Sequence, residues 1–229
     1  MIGLKYHNEN VLMFSGGLDS LVAATYIDNP LFVHVNLHTQ YSEKELKTAS
    51  ELSLKMGIDC EIIDIGFQTI PFNVTLPDAF IPARNLLLSI FGSWYGSNVC
   101  IGGIKGDMIE DNCPDAHKDM SDSISKYSRK QIEVFSPFWE MTKADIIKWY
   151  LENGSDEELL HISTSCYHPT LHQCGNCGSC FRKWVALKVN NIEPQYNLSQ
   201  EIRDKYIRRA QQEHYDRQVN KNILNAIGE

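Results

Sequence analysis

The fold is decided by the stretch Asn10-Val11-Leu12-Met13-Phe14-Ser15-Gly16-Gly17-Leu18-Asp19-Ser20. Its apolar first half predicts a buried strand, and the two glycines that follow predict a tight turn. The apolar residues of Asp19 to Ile27 predict a buried helix that ends before Asn29-Pro30. A strand, a glycine turn and a helix in this order form the unit with which α/β folds bind phosphate groups.

The residue types in this turn suit an anion. Glycine lets the backbone approach an anion closely and point N–H groups at it, and a helix N-terminus adds a partial positive charge. Ser15 and Ser20 can donate hydroxyl hydrogen bonds, while Asp19 can accept one or hold a magnesium ion on the phosphates. The turn has neither the lysine of a Walker loop nor the dinucleotide fingerprint. An ordinary glycine turn with a helix cap is the alternative.

Strand-like and helical patterns alternate over the first 150 residues. This alternation predicts an α/β fold with a doubly wound parallel sheet. A capping box at Ser42-Glu43-Lys44-Glu45 predicts the start of one helix, which Gly57 ends. Further strands are predicted at 31–37, 60–65, 98–103 and 132–135, and further helices at 83–95, 118–131, 142–151 and from about residue 198 onward. Residues 70–82 and 104–117 are predicted to be irregular.

The composition is that of a globular protein, since 43% of the 229 residues are hydrophobic and 22% are charged. The formal net charge of −8 argues against general nucleic-acid binding but leaves room for a small basic pocket for one nucleotide. The stretch Met1 to Asn10 shows no targeting segment. The most apolar stretch, Leu86 to Tyr95, is too short to span a membrane. We therefore expect a cytoplasmic protein with no membrane partner.

The cysteines predict a metal site. Their odd number, seven, argues against a disulfide framework. Four thiolates can enclose a zinc ion tetrahedrally, and such a closed site is structural. An iron–sulfur cluster uses the same ligands, but a redox centre has no evident role beside a phosphate site. His168 and His172 could compete as ligands. One zinc ion per chain is predicted at the four clustered cysteines, Cys166, Cys174, Cys177 and Cys180.

The glycine turn resembles the Ser-Gly-Gly-x-Asp-Ser hallmark of the PP-loop ATP pyrophosphatases. Members of that superfamily hold ATP at this loop and cleave it between the α- and β-phosphates, usually to adenylate an acid or a carbonyl-type oxygen. The resemblance implies an adenine-nucleotide alpha hydrolase-like fold and a requirement for ATP and Mg²⁺. The ATP site it implies is formed by Phe14, Ser15, Gly16, Gly17, Leu18, Asp19, Ser20 and Leu21.

Together with the cysteine spacing Cys-x7-Cys-x2-Cys-x2-Cys, this loop resembles the 7-cyano-7-deazaguanine synthase family. The resemblance covers about residues 10–190. It implies that ATP activates the carboxylate of 7-carboxy-7-deazaguanine, that ammonia attacks it to give an amide, and that the amide is activated again and dehydrated to the nitrile. The other segments that match in order are Pro82 to Leu86, Val99 to Gly103, Asp111, Cys113 to Asp115, Ser136 to Phe138, Met141 to Asp145 and Thr164 to Tyr167.

The same resemblance implies roles for individual residues. Asp19 and Ser20 would position ATP and magnesium. Arg84 would neutralise the charge of a phosphate or a carboxylate, and Lys143 would contact a phosphate. Asp115 would accept hydrogen bonds from the donor edge of the purine-like substrate. The structural alternatives are a salt-bridged arginine, a solvated surface lysine and a turn aspartate.

Some positions depart from the family pattern. Leu21 stands where relatives often have a small hydroxyl residue, Cys113 replaces an aromatic residue, and Ala116 stands where relatives tend to have a cysteine. The identity of the acid therefore stays open. The product also stays open between a nitrile, an amide and a conjugate. The alternatives are a related PP-loop enzyme with another acid or amine, a transfer-RNA thiolase, and a non-enzymatic zinc interaction module.

For the organisation of the chain, we expect a nucleotide-binding α/β domain at residues 1–160 and a zinc-binding and terminal helical segment at residues 161–229. The two are expected to pack together as one structural unit. No glutaminase segment is apparent, so free ammonia is the simplest nitrogen donor. By resemblance, the chain would form a homodimer.

Overall fold

The computed structural model describes residues 9–65, 81–107, 109–170 and 172–228. In this part of the chain, five parallel strands form one sheet in the order β3-β2-β1-β4-β5. The strands are β1 Asn10–Met13, β2 Leu31–Asn36, β3 Cys60–Asp64, β4 Asn98–Cys100 and β5 Glu133–Phe135. The helices are α1 Leu18–Tyr26, α2 Ser42–Met56, α3 Arg84–Ser93, α4 Pro114–Ser128, α5 Lys143–Glu152, α6 Glu157–Ile162, α7 Gly178–Val189, α8 Gln200–Gln211 and α9 Arg217–Ile227.

Helices cover both faces of the sheet because successive strand residues point to opposite sides. Leu12 and Phe14 join one apolar core together with residues of α1, α2 and α5. Val11 and Met13 join the second core, in which α3 and α4 supply the opposing side chains. The sheet therefore has the predicted doubly wound form. Its winding direction reverses between β1 and β4, and ligands of such sheets bind at the carboxyl ends of the strands at this switch point.

Two predicted helix starts are wrong for local reasons. α4 begins at Pro114 rather than at residue 118, because proline at the first helical position loses no hydrogen bond. The capping box at Ser42 is absent: Tyr41 is the N-cap of α2, and the Ser42 hydroxyl accepts a hydrogen bond from the Thr39 amide at 2.7 Å. The end of α2 is as predicted, since Gly57 has the left-handed conformation.

The C-terminal part is more helical than predicted. Two helices, α8 and α9, replace the predicted single terminal helix, and α6 and α7 are helices that the sequence pattern does not predict. Ala186 and Leu187 of α7 are buried in the same core as Leu12 of β1. The division at residue 160 stays a prediction. Most of the predicted irregular stretch 70–82 lies outside the described residues, as does most of the stretch Met1 to Asn10.

Every helix in the described ranges is too short or too polar to cross a membrane.

Candidate functional site

A cavity opens at the carboxyl edge of the sheet, beside the switch point between β1 and β4. Its wall includes the glycine turn after β1, the end of β2 and Gly102 after β4. Side chains from the starts of α2, α3, α5 and α7 complete it, together with residues 164–167. Segments that are distant in sequence therefore meet at one place.

The glycine turn is held by close packing against α2. Gly16 has a φ of +73°, and a Cβ atom there would lie 2.7 Å from the Ala49 backbone nitrogen. Gly17 is the N-cap of α1 and offers no side-chain cap. The first amides of α1 therefore lack a capping side chain, as expected where an anion is to be bound.

The serines of the turn define its shape. The Ser15 hydroxyl accepts a hydrogen bond from the Gly17 amide at 3.2 Å and lies 3.3 Å from the Ser20 hydroxyl. The Ser20 hydroxyl donates to the Gly17 carbonyl oxygen at 2.9 Å. Phe14 and Leu18 are buried and line the cavity, whereas Leu21 is fully buried in the core and does not line it.

Two ion pairs lie at the cavity wall near the turn. Lys143 Nζ donates to both carboxylate oxygens of Asp19, at 2.6 and 2.7 Å. Arg182 Nη1 lies 3.2 Å from Asp107 Oδ1. Burial raises the pKa of Asp107, and the neighbouring Arg182 opposes that shift. The wall therefore carries two cations already balanced by two carboxylates.

Lys143 is placed by the helix that it begins. Thr142 is the N-cap of α5 and forms a capping box with Asp145. The buried side chain of Asn222 in α9 donates to the Thr142 hydroxyl at 3.3 Å. A residue near the C-terminus thus contacts the cap of the helix that carries Lys143.

At another part of the cavity wall, Arg84 lies among Tyr41, Glu45 and Tyr167. Burial raises the pKa of Glu45 to about 7, with the positive charges of Arg84 and Lys44 opposing the shift. From the sequence, Glu45 is predicted only to cap α2. The sequence does not distinguish a glutamate that caps a helix from one that faces a cavity, because a glutamate three residues after a serine suits both roles.

The loop before α4 is fixed to α3. The Asn85 amide and side chain donate to Asp111, each at 3.1 Å. Asn112 also lines the cavity. Asp115, predicted to contact the substrate, is exposed on the first turn of α4 and does not line the cavity.

Several buried polar atoms at the cavity have no hydrogen-bond partner within the described residues. They include Thr164 Oγ1 and His34 Nε2. Burial lowers the pKa of His34, so its ring is neutral at pH 7. Because unpaired buried polar atoms are costly, these atoms and the uncapped amides fit a polar ligand such as a nucleotide.

The four clustered cysteines come together as predicted. Their ligand atoms all lie within 4.8 Å of one another. The Sγ atoms of Cys174 and Cys180 are 3.8 Å apart. A tetrahedral zinc ion with Zn–S distances of about 2.3 Å requires S···S distances of roughly 3.8 Å. The residues present therefore fit a zinc ion.

Comparisons with known proteins show the family of this chain. The sequence profile of the family described as queuosine biosynthesis protein QueC matches residues 9–191. The chain belongs to this family. The match includes the glycine turn, Arg84, Lys143 and all four clustered cysteines.

Curated relatives carry a single kind of name. The "7-cyano-7-deazaguanine synthase" of Chlorobaculum parvum is 29% identical, and the alignment covers 86% of this chain and 98% of that protein. The protein of that name from Pseudoalteromonas atlantica is 28% identical over 80% of this chain and 95% of its own length. The "7-cyano-7-deazaguanine synthase 2" of Sulfurisphaera tokodaii is 26% identical over 80% of this chain but only 46% of that longer protein.

Helices α8 and α9 lie beyond the end of the family match. They pack on α7 in a third apolar core that includes Trp184, Ile202 and Ile223. The contact between Asn222 and Thr142 therefore joins a part of the chain outside the family match to the start of α5, which carries Lys143.

Proposed function

We propose that the chain is an ATP-dependent 7-cyano-7-deazaguanine synthase. The observation that carries the proposal is that the uncapped glycine turn opens into the same cavity as Glu45 and Arg84. The turn provides backbone donors for a triphosphate, and the two side chains provide an acceptor and donors for a purine-like ring. The relatives whose names state this activity support the same reading.

The reaction needs two activations of one carbon. The substrate carboxylate attacks the α-phosphorus of ATP, releasing pyrophosphate and leaving an acyl adenylate. Ammonia attacks the acyl carbon, a proton leaves, and AMP departs to give the amide. The amide oxygen then attacks a second ATP in the same way. Loss of two N–H protons and departure of AMP with that oxygen form the nitrile.

The turn and its neighbours would stabilise the phosphate charge that changes during each transfer. The amides at the start of α1 and the hydroxyls of Ser15 and Ser20 would bind the phosphate oxygens. Lys143 would move from Asp19 to a phosphate oxygen once the nucleotide is bound. A magnesium ion would neutralise part of the phosphate charge, and Asp19 is the residue that would hold it.

The ring of the substrate would be recognised by Glu45 and Arg84. A 7-deazaguanine ring presents a carbonyl oxygen, a ring N–H and an amino group along one edge. Glu45 can accept from the two N–H groups, and Arg84 can donate to the carbonyl oxygen. Among the described residues, the ionisable neighbours of Arg84 are Tyr167, Tyr41 and Glu45. We therefore assign Arg84 to the ring, and Glu45 takes the acceptor role expected of Asp115.

The Glu45→Gln protein is expected to bind the acid about 10- to 100-fold more weakly, because a hydrogen bond to a charged group contributes about 1.5–3 kcal/mol. Burial raises the pKa of Glu45 to about 7. The accepting carboxylate form is therefore lost as the pH falls below 7, and wild-type affinity should fall about tenfold per pH unit there. Calorimetric titration with 7-carboxy-7-deazaguanine from pH 5.5 to 8 measures both effects.

Glu43→Gln is the matched control, since Glu43 is exposed on the same helix. It should leave the affinity and its pH dependence unchanged. The assignment of Glu45 would be contradicted if the Glu45→Gln protein bound the acid as tightly as the wild type and its affinity fell in the same way below pH 7.

The activity itself is tested with purified protein, Mg²⁺, ATP, 7-carboxy-7-deazaguanine and ammonium, using mass spectrometry. We expect the amide first and the nitrile later, with one pyrophosphate released for each activation. Omission of ammonium should stop both products. Absence of amide and nitrile from the complete reaction would refute the proposal, and activity that depends on added RNA would favour a transfer-RNA thiolase.

A further inference from the structure

Lys183 is a buried lysine that the proposed chemistry leaves without a role. It lies in α7 and is 1% exposed. Its Nζ donates to the Ser163 carbonyl oxygen, and it also donates to the Ser163 hydroxyl at 3.1 Å. A buried amine is costly unless it is paired in this way. Burial lowers the pKa of Lys183 to about 7. Lys183 does not line the cavity.

The segment that Lys183 contacts lies against the glycine turn. The amide of Thr164, the next residue after Ser163, donates to the Gly16 carbonyl oxygen at 2.9 Å. A Cβ atom on Gly17 would lie 3.3 Å from the Thr164 carbonyl oxygen. Ser163 also accepts a hydrogen bond from Gln173 Nε2 at 3.1 Å. A shift of Ser163 would therefore move a direct backbone partner of the turn.

The start of α7 is in turn fixed by the cysteine cluster. Cys177 is the N-cap of α7, and its Sγ accepts a hydrogen bond from the Cys180 amide at 3.4 Å. Lys183 follows Cys180 by about one helical turn. The cysteines thus place the helix, and the helix places the amine.

We infer that Lys183 is a positioning residue that holds Ser163 and Thr164 against the glycine turn and so couples the cysteine cluster to nucleotide binding. The inference rests on the proposed function, since it takes the turn to be the ATP site. Lys183 acts through the backbone of its neighbours and does not contact the nucleotide.

The test is calorimetric binding of a non-hydrolysable ATP analogue to the Lys183→Met protein. Methionine keeps the length of the side chain and removes the donor. We expect the dissociation constant for the analogue to rise at least tenfold, while zinc content, melting temperature and affinity for the acid substrate stay close to those of the wild type. A role in folding alone would lower the melting temperature and leave the nucleotide affinity of the folded fraction unchanged.

Two control variants are available. Lys188→Met removes a partly exposed lysine of the same helix that pairs with Glu193, and Ser163→Ala leaves the accepting carbonyl oxygen in place. Both should bind the analogue like the wild type. If Lys183→Met does not fold, Gln173→Leu removes the other side-chain donor to the Ser163 carbonyl oxygen and should weaken binding in the same direction.

The outcomes distinguish a failure of the proposed function from a failure of the inference about Lys183. A wild-type protein that does not bind the analogue refutes the proposed function, and with it this inference. A wild-type protein that binds, together with equal binding by Lys183→Met, overturns the inference alone. If Lys183→Met does not fold, binding of the analogue by Gln173→Leu as tightly as by the wild type also overturns the inference alone.

Discussion

The Cys180→Ser protein is expected to contain almost no zinc and to unfold at a markedly lower temperature. Cys180 is fully buried within the cluster and lies on the first turn of α7. A serine oxygen stays protonated where a thiolate is needed, and the free energy of binding a structural zinc ion is also free energy of folding. A loss of several kcal/mol would lower the melting temperature by about 10 °C or more in a chain of this size.

Elemental analysis and calorimetry measure the two effects. Cys113→Ser is the control, because Cys113 is a half-buried cysteine outside the cluster. It should retain one zinc ion per chain. Stoichiometric zinc in the Cys180→Ser protein would show that the cluster is not the metal site, and a brown iron-containing wild-type protein would show that the ion is not zinc.

The Gly16→Ala protein is expected to bind ATP at least about 100-fold more weakly. The left-handed conformation costs a side chain about 1–2 kcal/mol, and the added Cβ would lie 2.7 Å from the Ala49 backbone nitrogen. The turn must therefore move away from α2. Loss of two hydrogen bonds to phosphate, at about 1.5–3 kcal/mol each, gives this factor.

Gly154→Ala is the control that has the left-handed backbone conformation without a contact between the added Cβ and a neighbouring helix. Gly154 has the same φ of +73°, but no atom lies within 4 Å of the added Cβ position. The left-handed conformation should cost each variant about 1–2 kcal/mol of stability. Gly16→Ala should lose more than this because of the contact with α2, and only Gly16→Ala should lose nucleotide affinity. Calorimetric titration with a non-hydrolysable analogue makes the comparison. Equal affinities for the two variants would show that the turn is not the nucleotide site.

The features that could be predicted are those encoded over a few neighbouring residues. The strand, the turn and α1 follow from one short stretch, and Thr142 with Asp145 forms the capping box that their spacing predicts. The cysteine cluster was predictable because zinc ligands have narrow spacing rules.

The features that could not be predicted depend on packing between distant segments. Glu45 faces the cavity because α2 lies beside the turn and α3 brings Arg84 next to it. Asp115 is exposed because Pro114 starts α4 earlier than the helical pattern suggests. Lys183 looks like an ordinary polar residue until its contact with Ser163 is seen. In each case the residue type was evident and its neighbours were not.

Helix α9 limits where this chain can be truncated. A fragment cut at residue 191, where similarity to the family stops, would keep all the cavity residues named here. It would also uncover the apolar side of α7 around Phe181 and Val185 and leave Thr142 without its Asn222 partner. Such a fragment would expose an apolar surface, and we expect it to aggregate. A fragment expected to remain monomeric is therefore longer than the region that the family profile matches.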